Sequence, residues 1–154
     1  MLSLHAVSAA HDHPLPNQDA VHARNEQFVV MLEAFRRTGG LAPIAEVTLQ
    51  LQRQMAGNAL VLADWIARGS LICFEWQSRR WIPWFQFNRF DMVPHTQLLP
   101  VLAELETVYD AWEMGVWFAT PNPWLAGRLP VDTLGLDVSE VLHAARADRF
   151  IANG

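Results

Sequence analysis

The run Leu71-Ile72-Cys73-Phe74-Glu75-Trp76-Gln77-Ser78-Arg79-Arg80-Trp81-Ile82-Pro83-Trp84-Phe85-Gln86-Phe87 sets the architecture of the first half of this chain. Residues 71–76 and 81–87 are rich in aromatic and β-branched side chains and flank the polar quartet Gln77-Ser78-Arg79-Arg80. That order predicts a β-hairpin whose tip carries two arginines. Both parities of the second strand are apolar, which predicts cover on both of its faces. Pro83 within it predicts an edge, because proline supplies no ladder N–H.

Working back from the hairpin, Asn25 is a good N-cap for a first helix running to about Arg37, with Phe28, Met31, Leu32 and Phe35 at helical spacing. Arg36 and Arg37 suit its C-terminal dipole, and Gly39-Gly40 stops it. Pro43, preset for a first helical turn, opens a second helix with the stripe Ile44, Val47, Leu51 and Met55. After the break Ala56-Gly57-Asn58, a third helix capped by Asn58 turns Val61, Leu62, Trp65 and Ile66 inward and ends at Gly69. Two helices across a Gly-containing turn outline a helix-turn-helix, and the hairpin completes a winged-helix-like unit over residues 25–90. Residues 1–24 show no periodicity and are expected to form a flexible arm. The spacing of His5, His11, His13 and His22 within that arm matches no metal-ligand pattern, so neither a metal nor a cofactor is expected.

The 154 residues carry a net charge of −5, from 11 basic side chains, all arginine, against 16 acidic ones. The deficit lies in the last third: residues 1–96 hold eight Arg and eight acids, residues 97–154 three Arg and eight acids. Residues 53–90 are locally basic, with Arg53, Arg68, Arg79, Arg80 and Arg89 against Asp64 and Glu75. In a winged helix the third helix enters the major groove while wing arginines reach phosphate or the minor groove, which makes Arg53, Arg68, Arg79 and Arg80 the DNA-contact candidates. A pI near 5.6 excludes strong non-specific nucleic-acid binding. Phe74, Trp76, Trp81, Trp84, Phe85, Phe87 and Phe90 interleave with arginine as a stacking platform would, but core packing accounts for them better.

Past Asp91 and Pro94 the pattern predicts one long helix, with Pro100 in its first turn and Val101, Leu102, Leu105, Val108, Tyr109, Trp112 and Val116 on its inner stripe. Glu104, Glu106, Asp110 and Glu113 make its outer face acidic, and Thr120-Pro121-Asn122-Pro123 ends it. Gly127 supplies the turn in the connection 124–134. A last helix starts at Asp137 with Glu140 completing a capping box; Val141, Leu142 and Ala145 face inward, and Arg146, Asp148 and Arg149 outward.

Pro121, Asn122, Leu125, Gly127, Pro130 and Leu134, followed by a short helix with Val141 and Ala145, match the order P-N-x-x-L-x-G-x-x-P-x-x-x-L. In this the span 98–151, a little over a third of the chain, resembles the toxin-binding domain of the Xre/MbcA/ParS-like antitoxins. Residues 69–87, ending in Phe85-Gln86-Phe87, also resemble the segment that precedes this domain in some related proteins. The resemblance implies a small all-helical domain over 97–152 that dimerises and sequesters a cognate toxin, often of the NAD-consuming RES type. It also implies that the other half binds the operon's promoter DNA. By analogy, Trp124, Arg128, Asp132, Arg146 and Arg149 would contact the partner.

The expected fold is therefore mainly α: a helix-turn-helix-like unit with a hairpin, followed by a small helical domain. Catalysis is not expected, since no phosphate-binding Gly loop, His-x-x-x-His pair or nucleophile elbow is present. Cys73 with His95 or His143 would be the one constellation folding could assemble, and a Cys in an apolar strand is usually inert. No small-molecule substrate is expected either. A single cysteine, no uninterrupted run of eighteen apolar residues and no basic, apolar leader point to a cytoplasmic protein without a membrane span. The alternative to an antitoxin-like adaptor is a stand-alone homo-oligomeric DNA-binding regulator, or a structural interaction protein without a toxin.

Overall fold

Gln77 and Ser78 both have positive φ, 49° and 61°, and this two-residue turn joins β2 (Phe74–Trp76) to β3 (Arg79–Pro83) in the computed structural model, which describes residues 17–54 and 57–154. Left-handed conformation at both central positions matches the twist of a tight hairpin. Arg79 and Arg80 are therefore the first residues of β3 and not part of the turn. A third strand not expected from the sequence, β1 (Leu41–Pro43), pairs with β3, so the antiparallel order is β1-β3-β2. Pro83 consequently ends the central strand, opposite Leu41, instead of marking an edge. Beyond it the second strand does not run on to Phe87: Trp84 N–H donates to Gly40 O at 3.0 Å and residues 84–86 turn as a short 3-10 helix.

Helix α1 spans Gln18–Ala34, so it begins before Asn25 and takes in part of the expected arm; residues 1–16 lie outside the described residues. Asn25 does not cap it. Its side chain instead accepts from Trp76 Nε1 at 3.1 Å, and Gln27 accepts from Trp112 Nε1 at 2.7 Å, which ties α1 to the hairpin on one side and to the later helices on the other. Arg36 and Arg37 fall in a 3-10 turn, and Gly39, at φ 107°, redirects the chain into β1. Helix α2 (Ile44–Arg53) starts one residue after Pro43, and α3 (Ala59–Ala67) is capped as expected: Asn58 Oδ1 accepts from Leu60 N at 3.0 Å and Val61 N at 3.2 Å. Met55 and Ala56, part of the expected stripe and break, lie outside the described residues.

The single long helix expected after Pro94 is two helices, α4 (Leu99–Leu105) and α5 (Ala111–Phe118). Asp110 is the reason. Its carboxylate accepts from Glu113 N at 2.8 Å while Glu113 returns a bond to Asp110 N at 3.1 Å, a capping box that starts a new helix in a new direction. Two carboxylates read as a solvated face are thus capping groups. After a turn at residues 123–125 come α6 (Pro130–Leu134) and α7 (Val138–Asn153). Asp137 caps α7 through Ser139 N and Glu140 N, but Glu140 closes no box, its side chain being taken by Arg128.

The fold is mainly helical with one small antiparallel sheet. Among the described residues the buried apolar side chains form two clusters. Phe28 and Met31 of α1, Phe35 just after it and Phe74 of β2 pack with Leu102, Leu105, Phe118 and Val141 of the later helices. Ala42, Val47, Leu51, Leu62, Leu71 and Ile82 close a second cluster around β1, α2, α3 and β3. Helix α1 and one face of β2 therefore share a core with α4, α5 and α7. Gly115 of α5 marks how close this contact is, since an added Cβ would stand 2.9 Å from Met31 Sδ and 3.2 Å from Phe74 Cε1. Among the described residues no helix is long and apolar enough to cross a membrane.

Candidate functional site

The residues of the P-N-x-x-L-x-G-x-x-P-x-x-x-L order fold into one closed loop between α5 and α6. Asn122 is buried, and within the loop its backbone and side chain serve four groups: its N–H donates to Arg128 O at 3.1 Å, its carbonyl accepts from Leu125 N and Gly127 N at 3.0 and 2.9 Å, and its Oδ1 accepts from Trp124 N at 2.8 Å. Leu125 is buried beneath the loop. Ala126 and Gly127 both take left-handed conformations, φ 56° and 80°, the second at the glycine the order supplies. Pro130 then opens α6, where its missing N–H is no loss, and Leu134 ends that helix half-buried against the core.

Asp148 of α7, expected to face solvent, holds this loop. It accepts from Trp117 Nε1 at 2.7 Å, Asn122 Nδ2 at 2.9 Å and Trp124 Nε1 at 3.1 Å. One carboxylate thereby joins the end of α5, the loop and α7, with each donor's desolvation compensated by a charge-assisted bond. Trp124 is pinned at two points yet 57% exposed. It overhangs a groove of about 430 Å³ whose other walls include Ala126, His143, Ala144 and Ala147. Arg128 lies on the rim, its Nε donating to Leu125 O at 2.8 Å and its Nη2 paired with Glu140. The groove is thus walled by Leu125 and three alanines together with Ser139 and His143, and the Arg128–Glu140 ion pair borders it.

The remaining expected partner contacts are elsewhere. Arg146 and Arg149 converge on Glu104 of α4, Arg146 Nε 3.2 Å from Oε1 and Arg149 Nη1 2.7 Å from Oε2, so they clamp α7 to α4. Asp132 borders a different cleft, of about 550 Å³, between residues 84–98 and the α6–α7 segment. Sequence reasoning missed Asp148, Glu104 and His143. The signal for Asp148 was its helical face, shared with Ala144 and Val141, both buried.

Of the DNA-contact candidates, Arg68 is paired with Asp64 at 3.1 Å, Arg79 lies over the Trp81 ring at 5.9 Å, and Arg53 is exposed at the end of α2. Arg80 stands beside Cys73, whose thiol is pushed above its ordinary pKa by burial, with the guanidinium pulling the other way. Cys73 borders neither cleft; His95 borders the larger and His143 the smaller, so these three groups are not assembled into one site. His22 pairs with Glu26 at 3.0 Å on the exposed side of α1, and His5, His11 and His13 lie outside the described residues. Comparison with known proteins gives no match: no family model, curated protein or solved structure is significantly similar to this chain.

Proposed function

We propose that this chain is a non-enzymatic, antitoxin-like protein that binds and neutralises a toxin protein, the kind of partner implied by the sequence resemblance, at the Trp124 groove. One observation carries the reading: a loop with the antitoxin-type residue order is locked by Asp148 so that an indole stands 57% exposed over a groove walled largely by small side chains. A rigid, exposed tryptophan above small residues is the anchor type that dominates protein interfaces, because little side-chain freedom is lost on binding. The partner surface is Trp124, Ala126, His143 and Ala147 with Arg128 at the edge, while Arg146 and Arg149 serve α4. The test is affinity capture from the host with the native chain and Trp124→Ala, followed by expression of any stoichiometric partner alone. Growth arrest by that partner, relieved by the native chain and not by Trp124→Ala, supports the reading. Equal capture or equal relief by both chains removes it.

A second reading concerns residues 18–83. Helix, strand, two helices and a hairpin, with β1 beside β3, form the order expected of a helix-turn-helix carrying a wing. That order supports a winged-helix-like unit, and promoter DNA as its ligand. The outer face of α3 carries Ala59, Leu60, Ala63, Asp64 and Ala67, which offer no donor to base edges, so contact falls to phosphates through Arg53, Arg79 and Arg80. Three phosphate contacts give a log–log salt slope of roughly −3 at most. Fluorescence anisotropy with the operon's own promoter should show that slope and its loss in Arg79→Glu, Arg80→Glu; no difference between the two chains would remove the DNA role.

A further inference from the structure

We infer that the cleft between residues 84–98 and α6–α7 is a self-association surface, in which Phe90 of each copy enters the cleft of a second copy of this chain. Phe90 is 96% exposed, the most exposed large apolar residue among those described. It is not on a loose loop. Asn88 N–H donates to Val93 O at 2.8 Å, Met92 N–H to Asn88 O at 2.9 Å, and Phe90 N–H itself to Asn88 Oδ1 at 2.9 Å. Asp91 Oδ1 accepts from Val93 N at 3.0 Å, and buried Met92, at φ 56°, anchors the tip from below. A five-residue loop with this many internal bonds holds its phenyl ring out in water, so burying that ring costs little further ordering.

The same face provides the socket. Trp84, Phe85 and Phe87 line a cleft of about 550 Å³ whose rim is formed by Phe90 and Arg89 on one side and Asp132 on the other. A cavity of ~150 Å³ already holds a benzene ring, so the cleft has room for a benzyl side chain and its neighbours. Knob and socket lying side by side on one surface is the arrangement a two-fold dimer requires, since each copy gives what it receives. The charges fit the same pairing. Arg89 precedes Phe90, Asp132 stands across the cleft, and among the described residues neither takes part in an ion pair within the chain. Insertion of Phe90 brings Arg89 of one copy to Asp132 of the other, twice per dimer, and this reciprocity favours a second copy over an unrelated protein.

The experiment is sedimentation equilibrium of the full chain across a hundredfold range of concentration, on the native protein, Phe90→Glu, Arg89→Asp, Asp132→Arg and the combined Arg89→Asp, Asp132→Arg. All these positions are exposed, and circular dichroism checks that each variant is folded. The expected result is a native dimer, at least tenfold weaker association in Phe90→Glu and in each single charge change, and recovery in the combined variant. A monomer at every concentration, a dimer unaffected by Phe90→Glu, or a combined variant no stronger than the single ones would each overturn the proposal.

Discussion

Asn122 and Asp148, on different elements and far apart in sequence, meet through a bond of 2.9 Å from the Asn122 amide to the carboxylate. Asn122 shapes the loop from within; Asp148 fixes where that loop sits on α7. The indoles of Trp117 and Trp124 donate to the same carboxylate, so the packing of the core, the loop conformation and the pose of the exposed indole depend on one side chain. Binding surface and fold are in this way coupled at Asp148.

Replacing Asp148 by Ala leaves three N–H donors without their acceptor, two of them from partly buried groups. Each such loss costs about 1–3 kcal/mol. Asp148→Ala is therefore expected to lower the unfolding free energy by about 3 kcal/mol, read from the denaturant midpoint at constant m-value. Arg128→Ala breaks a half-exposed ion pair and one bond to the Leu125 carbonyl, and should cost about 1 kcal/mol, clearly less than Asp148→Ala. Equal effects from the two changes would show that the carboxylate is not the organiser of the loop.

Gln86 is the second buried polar side chain with a defined task. It has no exposed surface, and its amide caps both backbone groups of Ile72, accepting from Ile72 N and donating to Ile72 O at 3.0 Å and Pro83 O at 3.1 Å. Gln86→Leu conserves size but leaves those groups unpaired, with an expected cost of about 3 kcal/mol. Gln86→Glu keeps the acceptor and replaces the donor with a charge in an apolar site, so it should be at least as destabilising near neutral pH and recover on acidification. Thermal melts at two pH values distinguish the pair.

What the sequence revealed and what it hid follow from the range of the forces involved. Asn58, Asp137, Gly39 and Gly127 act within a few residues of themselves, and the caps and stops they promised are present. The hairpin was visible because its two aromatic runs are adjacent. Strand β1 is only three residues, too short for alternation to register, and the first turns of α1 are exposed all round and so lack an apolar stripe. The long-helix expectation failed because Val101, Leu105, Val108, Trp112 and Val116 keep helical spacing straight across the Asp110 capping box. Asp148 was hidden for a different reason: a carboxylate on an amphipathic helix reads as solvated unless its distant partners are known.

The capping box itself is testable. Asp110→Ala removes the acceptor for Glu113 N and the start signal of α5, with an expected cost of about 1 kcal/mol. Glu113→Ala removes only the return bond and should cost less. A loss beyond about 3 kcal/mol for Asp110→Ala would mean that this group does more than begin a helix.

Two groups, Cys73 and Tyr109, set the pH response at the alkaline end. The Cys73 thiol is held above the ordinary value of 9.0 by burial, which Arg80 partly offsets. The native thiol therefore keeps its proton at a pH where the unfolded chain has released it. Stability from this group is complete below about pH 9 and is lost as pH rises through the raised native value. Tyr109 is raised in the same sense by burial and by Asp148 and Glu113, so the two contributions must be separated. Denaturant unfolding of the native chain and Cys73→Ala at about pH 8 and about pH 10 does this: the native chain should lose more between the two conditions. In Arg80→Gln the thiol moves further up, and the alkaline loss attributable to Cys73 should grow. Native Cys73 should also react with thiol reagents more slowly than the unfolded chain at neutral pH, since the thiolate is the nucleophile. Rapid native labelling would show that Arg80 and not burial governs its ionisation, and the same alkaline loss with and without the thiol would show that the two effects cancel.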